Sequence, residues 1–385
     1  MKKVRYAVVG AGWISQEAFL PGVWQTENSV VSAIVTGSED KGRKLADFHQ
    51  VPHVFGYERY AEMLNEDICD AVYVALPNSM HAEYTIQAAK AGKHILVEKP
   101  LAVSLQEGKS MIEAAEENGV YLMTAYRLHS EPGTVEAMER IRQGEIGEPR
   151  IFNSILSFRI QPENHRLKSC LWGGPLQDLG VYCINAARHL FEAEPTEVWA
   201  CFNERTGNPL FNEVEESIAA TMIFPGGRIA QFIASFGADT CDSYTVVGTA
   251  GSLTMDPAYR FESAMRLQQR NQEVIKLDQF PYTDHFAGMT AYFSECILND
   301  NPPEADGLEG LADLAILLAI EKSSQTGKPQ KIELPERLVH PNAEMIYRYP
   351  RSEKKTITLI AFLDHSIRVR SSFAINSICS CDFFS

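Results

Sequence analysis

The chain has no C-x-x-C spacing among its eight cysteines, no run of about 18 apolar residues and no Lys/Arg cluster long enough to form a basic stripe. Each absence removes a class. Without paired cysteine spacing, neither a zinc site nor a dithiol redox motif is expected, and no metal is assigned. Cys69, Cys170, Cys183, Cys201, Cys241, Cys296, Cys379 and Cys381 sit mostly in apolar stretches, where a thiol acts as a small hydrophobe in a reducing compartment. Without a long apolar run no membrane-spanning helix is predicted. Without a basic stripe, and with a net charge of −15, nucleic acid and anionic membranes are poor partners. Met1-Lys2-Lys3 runs straight into an apolar strand with no targeting segment, so a cytoplasmic protein is expected. What is present is ordinary globular usage: 385 residues, 45% of them hydrophobic, enough for two to three domains with a large core.

The first third alternates short apolar strands with helical patterns. Tyr6–Val9, Val30–Val35, Ala71–Ala75, His94–Val97 and Tyr121–Ala125 read as strands, and Lys41–Phe48, His81–Ala91 and Leu105–Asn118 as helices. Wholly apolar strands between helices argue for a parallel sheet covered on both faces. After a bridging helix at Thr134–Gln143, alternating strands take over: Ile151–Phe158, Glu197–Phe202, Ser217–Phe224, Gly227–Ala234, Tyr244–Gly248 and Ser252–Met255, with Pro225-Gly226-Gly227 turning one hairpin. Helices at Asp284–Asn299 and Gly307–Thr326 follow. The fold class is therefore α/β: an N-terminal Rossmann domain at 1–126 and a C-terminal α+β domain at 127–335 with a large, mainly antiparallel, open-faced sheet. That sheet offers a surface for a homo-oligomer. Residues 336–385 read as a poorly ordered extension, ending in an aperiodic Ser-, Cys- and Phe-rich stretch.

Gly10-Ala11-Gly12-Trp13-Ile14 follows the first strand and opens a helix. Gly10 permits the tight turn, and Gly12 lets a pyrophosphate approach the helix N-terminus. The second strand ends Val35-Thr36-Gly37-Ser38 without the acid that binds a ribose 2′-hydroxyl in NAD enzymes. Thr36, Ser38, Lys41 and Arg43 instead suit a 2′-phosphate, so NADP is the expected cofactor. Leu76-Pro77-Asn78 with His81, and Glu98-Lys99-Pro100, each follow a strand at its carboxyl end, where ligands bind in open α/β sheets. A partly buried Lys99 beside a cationic nicotinamide is expected to have a lowered pKa suited to proton transfer. A helix starting near Pro175 would place Asp178 and Tyr182 on one face, an acid and a phenol able to relay a proton.

These motifs, with Tyr126-Arg127-Leu128-His129 and Gly173-Gly174, resemble the Gfo/Idh/MocA oxidoreductases from about Val4 to Leu334. Within that family, Asp178-Leu179-Gly180-Val181-Tyr182 is similar to the glucose–fructose oxidoreductase and NADP-dependent aldose dehydrogenase subgroup. The resemblance implies a hydride transfer between NADP and a sugar, with Lys99, Tyr182 and Asp178 catalytic. It implies Arg127 and Arg166 near cofactor or substrate, and Glu98, Leu76, Asn78 and His81 on the cofactor side. The export signal and N-terminal arm of the periplasmic glucose–fructose enzyme have no counterpart here, so a freely exchanging cofactor is expected. The alternatives are a trans-dihydrodiol or keto-sugar reductase on the same scaffold, and a non-catalytic dinucleotide-sensing regulator.

Overall fold

The computed structural model describes residues 2–203 and 207–352. The first sheet has six strands, all parallel: β1 (Val4–Val9), β2 (Ser29–Val35), β3 (His53–Phe55), β4 (Ala71–Val74), β5 (His94–Val97) and β6 (Leu122–Thr124), in the order β3-β2-β1-β4-β5-β6. The central strands are apolar on both faces because helices cover both, and Tyr6 to Val9 and Ala71 to Val74 are fully buried. The order of winding reverses between β1 and β4, with β2 and β3 to one side and β5 and β6 to the other, and the carboxyl ends of the strands open there into a crevice.

The second sheet has nine strands: β7 (Pro149–Ser157), β8 (Glu197–Phe202), β9 (Ser217–Phe224), β10 (Arg228–Ser235), β11 (Cys241–Gly248), β12 (Ser252–Met255), β13 (Arg266–Asn271), β14 (Val274–Gln279) and β15 (Gln330–Lys331). Their order is β14-β13-β12-β11-β7-β10-β9-β8-β15, antiparallel except for the parallel pair β7–β10. The hairpin expected at Pro225-Gly226-Gly227 is present, with Phe224 opposite Arg228. The strands β13 and β14 had no apolar alternation to announce them: β14 is exposed along most of its length.

The two sheets share cover. The helix His285–Asn299, capped by the Asp284 carboxylate, packs on β1 and β2, where Ser294 Oγ lies 2.8 Å from Tyr6 Oη and 2.7 Å from Ser29 Oγ. The helix Gly307–Thr326 closes the β6 edge. Thr124 N–H donates to Ala305 C=O at 2.8 Å, and a Cβ on Gly310 would lie 2.4 Å from Thr124 Oγ1, so the helix needs glycine to come this close. One hydrophobic core runs from Tyr6 and Phe19 through Phe286 and Phe293 to Phe152 and Phe232. The halves are thus docked by burial, not merely tethered.

The loose extension expected from residue 336 does not hold for 336–352; the expected disorder of 353–385 lies outside the described residues. Arg337 reaches a buried acidic cluster, 2.8 Å from Glu309, 3.2 Å from Asp306 and 3.6 Å from Glu304. His340 Nδ1 lies 3.2 Å from His189 Nδ1, and Tyr349 C=O accepts from Asp284 N–H at 2.8 Å. A positive side chain facing three acids ties down a segment whose terminal position alone suggests looseness.

Two charged positions generate opposite stability predictions. Arg337→Ala removes one of the cations facing the buried Glu304 and Glu309 and should cost about 1.5–3 kcal/mol in chemical denaturation; a loss under about 1 kcal/mol would mean the segment is only resting on the surface. Glu215 packs under Gly174, and burial, with Glu321 nearby, raises its pKa to about 7. A carboxyl raised on folding binds its proton more tightly in the native state, so it costs stability as pH rises from about 4 to about 7. Glu215→Gln should therefore raise Tm at pH 8 and leave it nearly unchanged at pH 4. An effect of equal size at both pH values would refute this.

Candidate active site

The Lys99–Pro100 peptide, which is cis, leaves β5 at its carboxyl end and turns Lys99 into the crevice. Its side chain is 8% exposed. Lys99 Nζ donates to Asp178 C=O at 2.8 Å and to Asp178 Oδ1 at 3.1 Å, and lies 4.5 Å from the centre of the Tyr182 ring. Asp178 Oδ1 is shared with Arg166 Nε at 3.0 Å. The Arg127 guanidinium sits 5.0 Å from the same Tyr182 ring. Five of the expected residues, separated by up to 83 positions, therefore meet at one point. Asp178 and Tyr182 do not lie on one regular helix face. Asp178 is in a π-wound turn, Leu176–Gly180, and Tyr182 in the helix Val181–Phe191. Lys99 brings them together.

The electrostatics differ from the expectation for Lys99. Burial opposes its charge and is the largest single effect, but Tyr182, Asp178 and Glu98 together outweigh it and hold the ammonium above the usual lysine range. The expected lowering is that of a lysine facing a cationic nicotinamide, whereas the balance here is set by the protein's own groups, with the carboxylates of Asp178 and Glu98 raising it and Arg166 lowering it. Asp178 is likewise buried, yet Arg166 and Lys99 hold its carboxyl down at about 2. Glu98 is pushed upward by burial and accepts from Tyr73 Oη at 2.6 Å. Tyr73 is fully buried and stacks on Phe19, with centroids 3.7 Å apart.

The glycine turn fits a pyrophosphate. At Gly10, φ is +101°, and a Cβ would lie 2.4 Å from Ala75 C=O, so only glycine closes the turn onto β4. Above Gly12 no heavy atom lies within 4 Å of a Cβ position: the side on which a ligand would approach the backbone is open. Ser15, at the place of a third glycine, is buried and donates to Gly10 C=O at 2.6 Å, bracing the turn. Trp13 is 51% exposed at its rim, and Ile14 is half-buried beside it.

The other cofactor-side expectations divide. Ser38 and Lys41 are half-buried at the start of the helix Glu39–His49. Arg43 ion-pairs with Glu39 on the exposed face of that helix, and Thr36 is buried, its hydroxyl accepting from Ser38 N–H at 3.4 Å. Thr36 therefore shapes the turn, and Arg43 points along the surface. Asn78 Nδ2 donates to Trp172 C=O at 2.9 Å, tying the crevice wall to the loop before Asp178. Leu76 packs against Gly10. His81 is 0% exposed, with Nδ1 2.9 Å from Pro100 C=O and Nε2 2.9 Å from Leu76 C=O. It cannot touch a cofactor. It fixes the Lys99–Pro100 turn to the Leu76 loop, and burial lowers its pKa.

The motifs did not indicate the support around Arg127. Its Nη1 donates to His285 Nδ1 at 3.0 Å and its Nη2 to Tyr259 C=O at 2.6 Å. Burial and the guanidinium hold His285 well below the usual imidazole range, so the ring is neutral and can accept. His285 and Tyr259 lie on opposite sides of the polar strands β13 and β14, and nothing in their local sequence signals the contact.

Residues 4–126 match the model of an oxidoreductase family with an NAD-binding Rossmann fold, and residues 134–254 match the Gfo/Idh/MocA C-terminal domain. The chain is 30% identical over 338 residues to the NADP(+) D-xylose 1-dehydrogenase of Haloarcula marismortui, covering 86% of this chain and 93% of that protein. Its structure superposes on the aldose–aldose oxidoreductase of Caulobacter crescentus, solved with glycerol, with a TM-score of 0.82 and 31% identity over 86% of this chain and 100% of that one. A 3-ketoreductase from Actinomadura kijaniata, solved with NADP and TDP-benzene, superposes with a TM-score of 0.76 at 25% identity over 84% of this chain and 98% of that one. With both halves matched and the glycine turn, lysine and tyrosine in one crevice, the chain belongs to the Gfo/Idh/MocA family of oxidoreductases.

Proposed function

We propose that this chain is an NADP-dependent oxidoreductase acting on a sugar, oxidising an aldose to its lactone or running the reverse carbonyl reduction. The observation that carries the reading is the convergence of Lys99, Asp178 and Tyr182 beside the open glycine turn. When bound, NADP supplies the hydride acceptor. In the reductive direction Tyr182 gives its phenolic proton to the carbonyl oxygen, and the Lys99 ammonium over its ring stabilises the phenolate that this leaves; in the oxidative direction that phenolate takes the proton back from the sugar hydroxyl. Asp178, kept ionised by Arg166 and Lys99, fixes the lysine and presents its second oxygen to the substrate. The preference for NADP rests on the missing acid after β2, where Ser38 and Lys41 stand half-buried at the start of the helix Glu39–His49 as the phosphate contacts. The names of the relatives, NADP-dependent D-xylose 1-dehydrogenase and aldose–aldose oxidoreductase, support an aldose.

The outer face of the second sheet supports a homo-oligomer. Ile229 pairs with Ile151 and Ile233 with Ile155 in register, all four exposed, with Val247 on the neighbouring β11 and Trp199 on β8, beyond β9. A second copy laid on this strip would bury it. Among the described residues no disulfide is formed, which supports a reducing, cytoplasmic setting. Among the described residues no helix is long and apolar enough to cross a membrane.

An absorbance screen of aldoses with NADP+ and NAD+ tests the function. Reduction of NADP+ by at least one aldose is expected, with NAD+ much poorer. Turnover of keto-sugars alone would favour the reductase reading, and sugar–sugar exchange without added NADP+ would show a retained cofactor. With an active aldose, Lys99→Met and Tyr182→Phe should each lower kcat by about 10²–10⁴-fold while the NADPH Kd changes little. A variant with near-normal kcat would remove that residue from the assignment.

A further inference from the structure

The aromatic side chain that follows the glycine turn does not end in solvent. Trp13 meets Phe261 from the other half of the molecule, with ring centroids 5.8 Å apart and planes at 54°. Phe261 lies between β12 and β13, far from any recognised motif. It stands edge-on to Phe286 at 5.4 Å and holds the Arg127 guanidinium 5.3 Å from its own ring. Arg127 in turn lies over Tyr182. A continuous line of contacts therefore runs from the pyrophosphate turn, over the crevice, to the reacting phenol.

The base of Phe261 is rigid. The Asp242 carboxylate accepts from three consecutive backbone N–H groups just before it, Ala258 at 3.1 Å, Tyr259 at 2.8 Å and Arg260 at 3.1 Å. Tyr259 Oη is 2.8 Å from Ser154 Oγ, which pins the same loop to β7. Three charge-assisted bonds to one carboxylate fix a loop far better than its polar sequence suggests. Trp13, by contrast, is half exposed beside the open space over Gly12. One ring is anchored by its loop, and the other stands half exposed beside the turn.

We propose that Trp13 and Phe261 form an aromatic clasp across the mouth of the crevice, that Phe261 is a cofactor-retaining residue supplied by the second sheet, and that dinucleotide release requires the two rings to part. This rests on the reading of the glycine turn as the dinucleotide site. The rings wall off the stretch between the pyrophosphate turn and the catalytic tyrosine. Water excluded there strengthens the bonds of the turn's N–H groups to phosphate. The link through Arg127 makes closure of the clasp and placement of Tyr182 parts of one arrangement.

The test is the release rate of NADPH, measured by stopped-flow displacement with excess NADP+ and followed by NADPH fluorescence. Trp13→Ala and Phe261→Ala should each speed release by about three- to tenfold, the range an aromatic pair is worth. The double variant should release no faster than the faster single, because either change alone opens the clasp. Trp13→Phe should restore slow release. Phe261→Ala removes a partly buried ring, so the half-exposed Trp13→Ala provides the arm in which the fold is not at risk. Unchanged release in Trp13→Ala, or effects that multiply in the double variant, would overturn the clasp while leaving the dinucleotide site standing. Failure of the unmodified protein to bind NADPH at all would overturn both.

Discussion

An ammonium group held almost out of water at the end of a strand needs negative charge beside it, and most of the crevice can be derived from meeting that need for Lys99. The nearest partner, Asp178, comes from the other half of the chain and offers both its carbonyl and its carboxylate. Its carboxylate would itself be costly to bury without the second cation, Arg166. Tyr182 closes the set on the open side. The groups hold one another in place: removing the acid strands the buried lysine, and removing the lysine leaves the acid with Arg166 alone. That mutual dependence holds the phenol and the ammonium at a fixed separation without substrate, the preorganisation that proton transfer requires.

The separation can be fixed only if the two halves do not move apart, and the packing provides this. The helices His285–Asn299 and Gly307–Thr326 belong in sequence to the second half, yet they cover the first sheet. Below the helix that carries Tyr182, the acids Glu304, Glu309 and Asp313 meet Arg188, His129, His189 and Arg337 in one buried network. His129 follows Arg127 by two residues, and Arg188 follows Tyr182 by six. The network therefore anchors both segments that place charged or aromatic groups in the crevice. His129, His189 and Glu309 lie close enough to suggest a metal triad, but hydrogen bonds and guanidinium groups already occupy their ligand atoms.

The parallel sheet was legible because buried strands must be apolar and glycines must close the turns between them; β1, β4 and β5 follow from that rule. The glycine turn was legible for the same reason, since the conformation at Gly10 admits no other residue. Side-chain roles were less so. His81 and Thr36 stand at the expected edge, but a sequence does not say which way a side chain turns, and both turn inward to hold backbone. The charge balance around Lys99 is not legible locally, because Asp178 and Tyr182 lie 79 and 83 residues away and join Glu98 only in the fold. The strands β13 and β14 and the contacts of Phe261 and His285 leave no trace in polarity or spacing, because they exist only once the second sheet has formed.

The central claim is that Lys99 and Tyr182 act as one unit, the ammonium serving the proton that the phenol carries. A double-mutant cycle on kcat tests it most directly, using Lys99→Met, Tyr182→Phe and the combined variant with the best aldose and saturating NADP+. If the two residues form one unit, the combined variant should lose about as much as the worse single, because either change alone already breaks the relay. Losses that multiply would mean that the two residues act in separate steps, and the shared role assigned to the buried ammonium would be wrong.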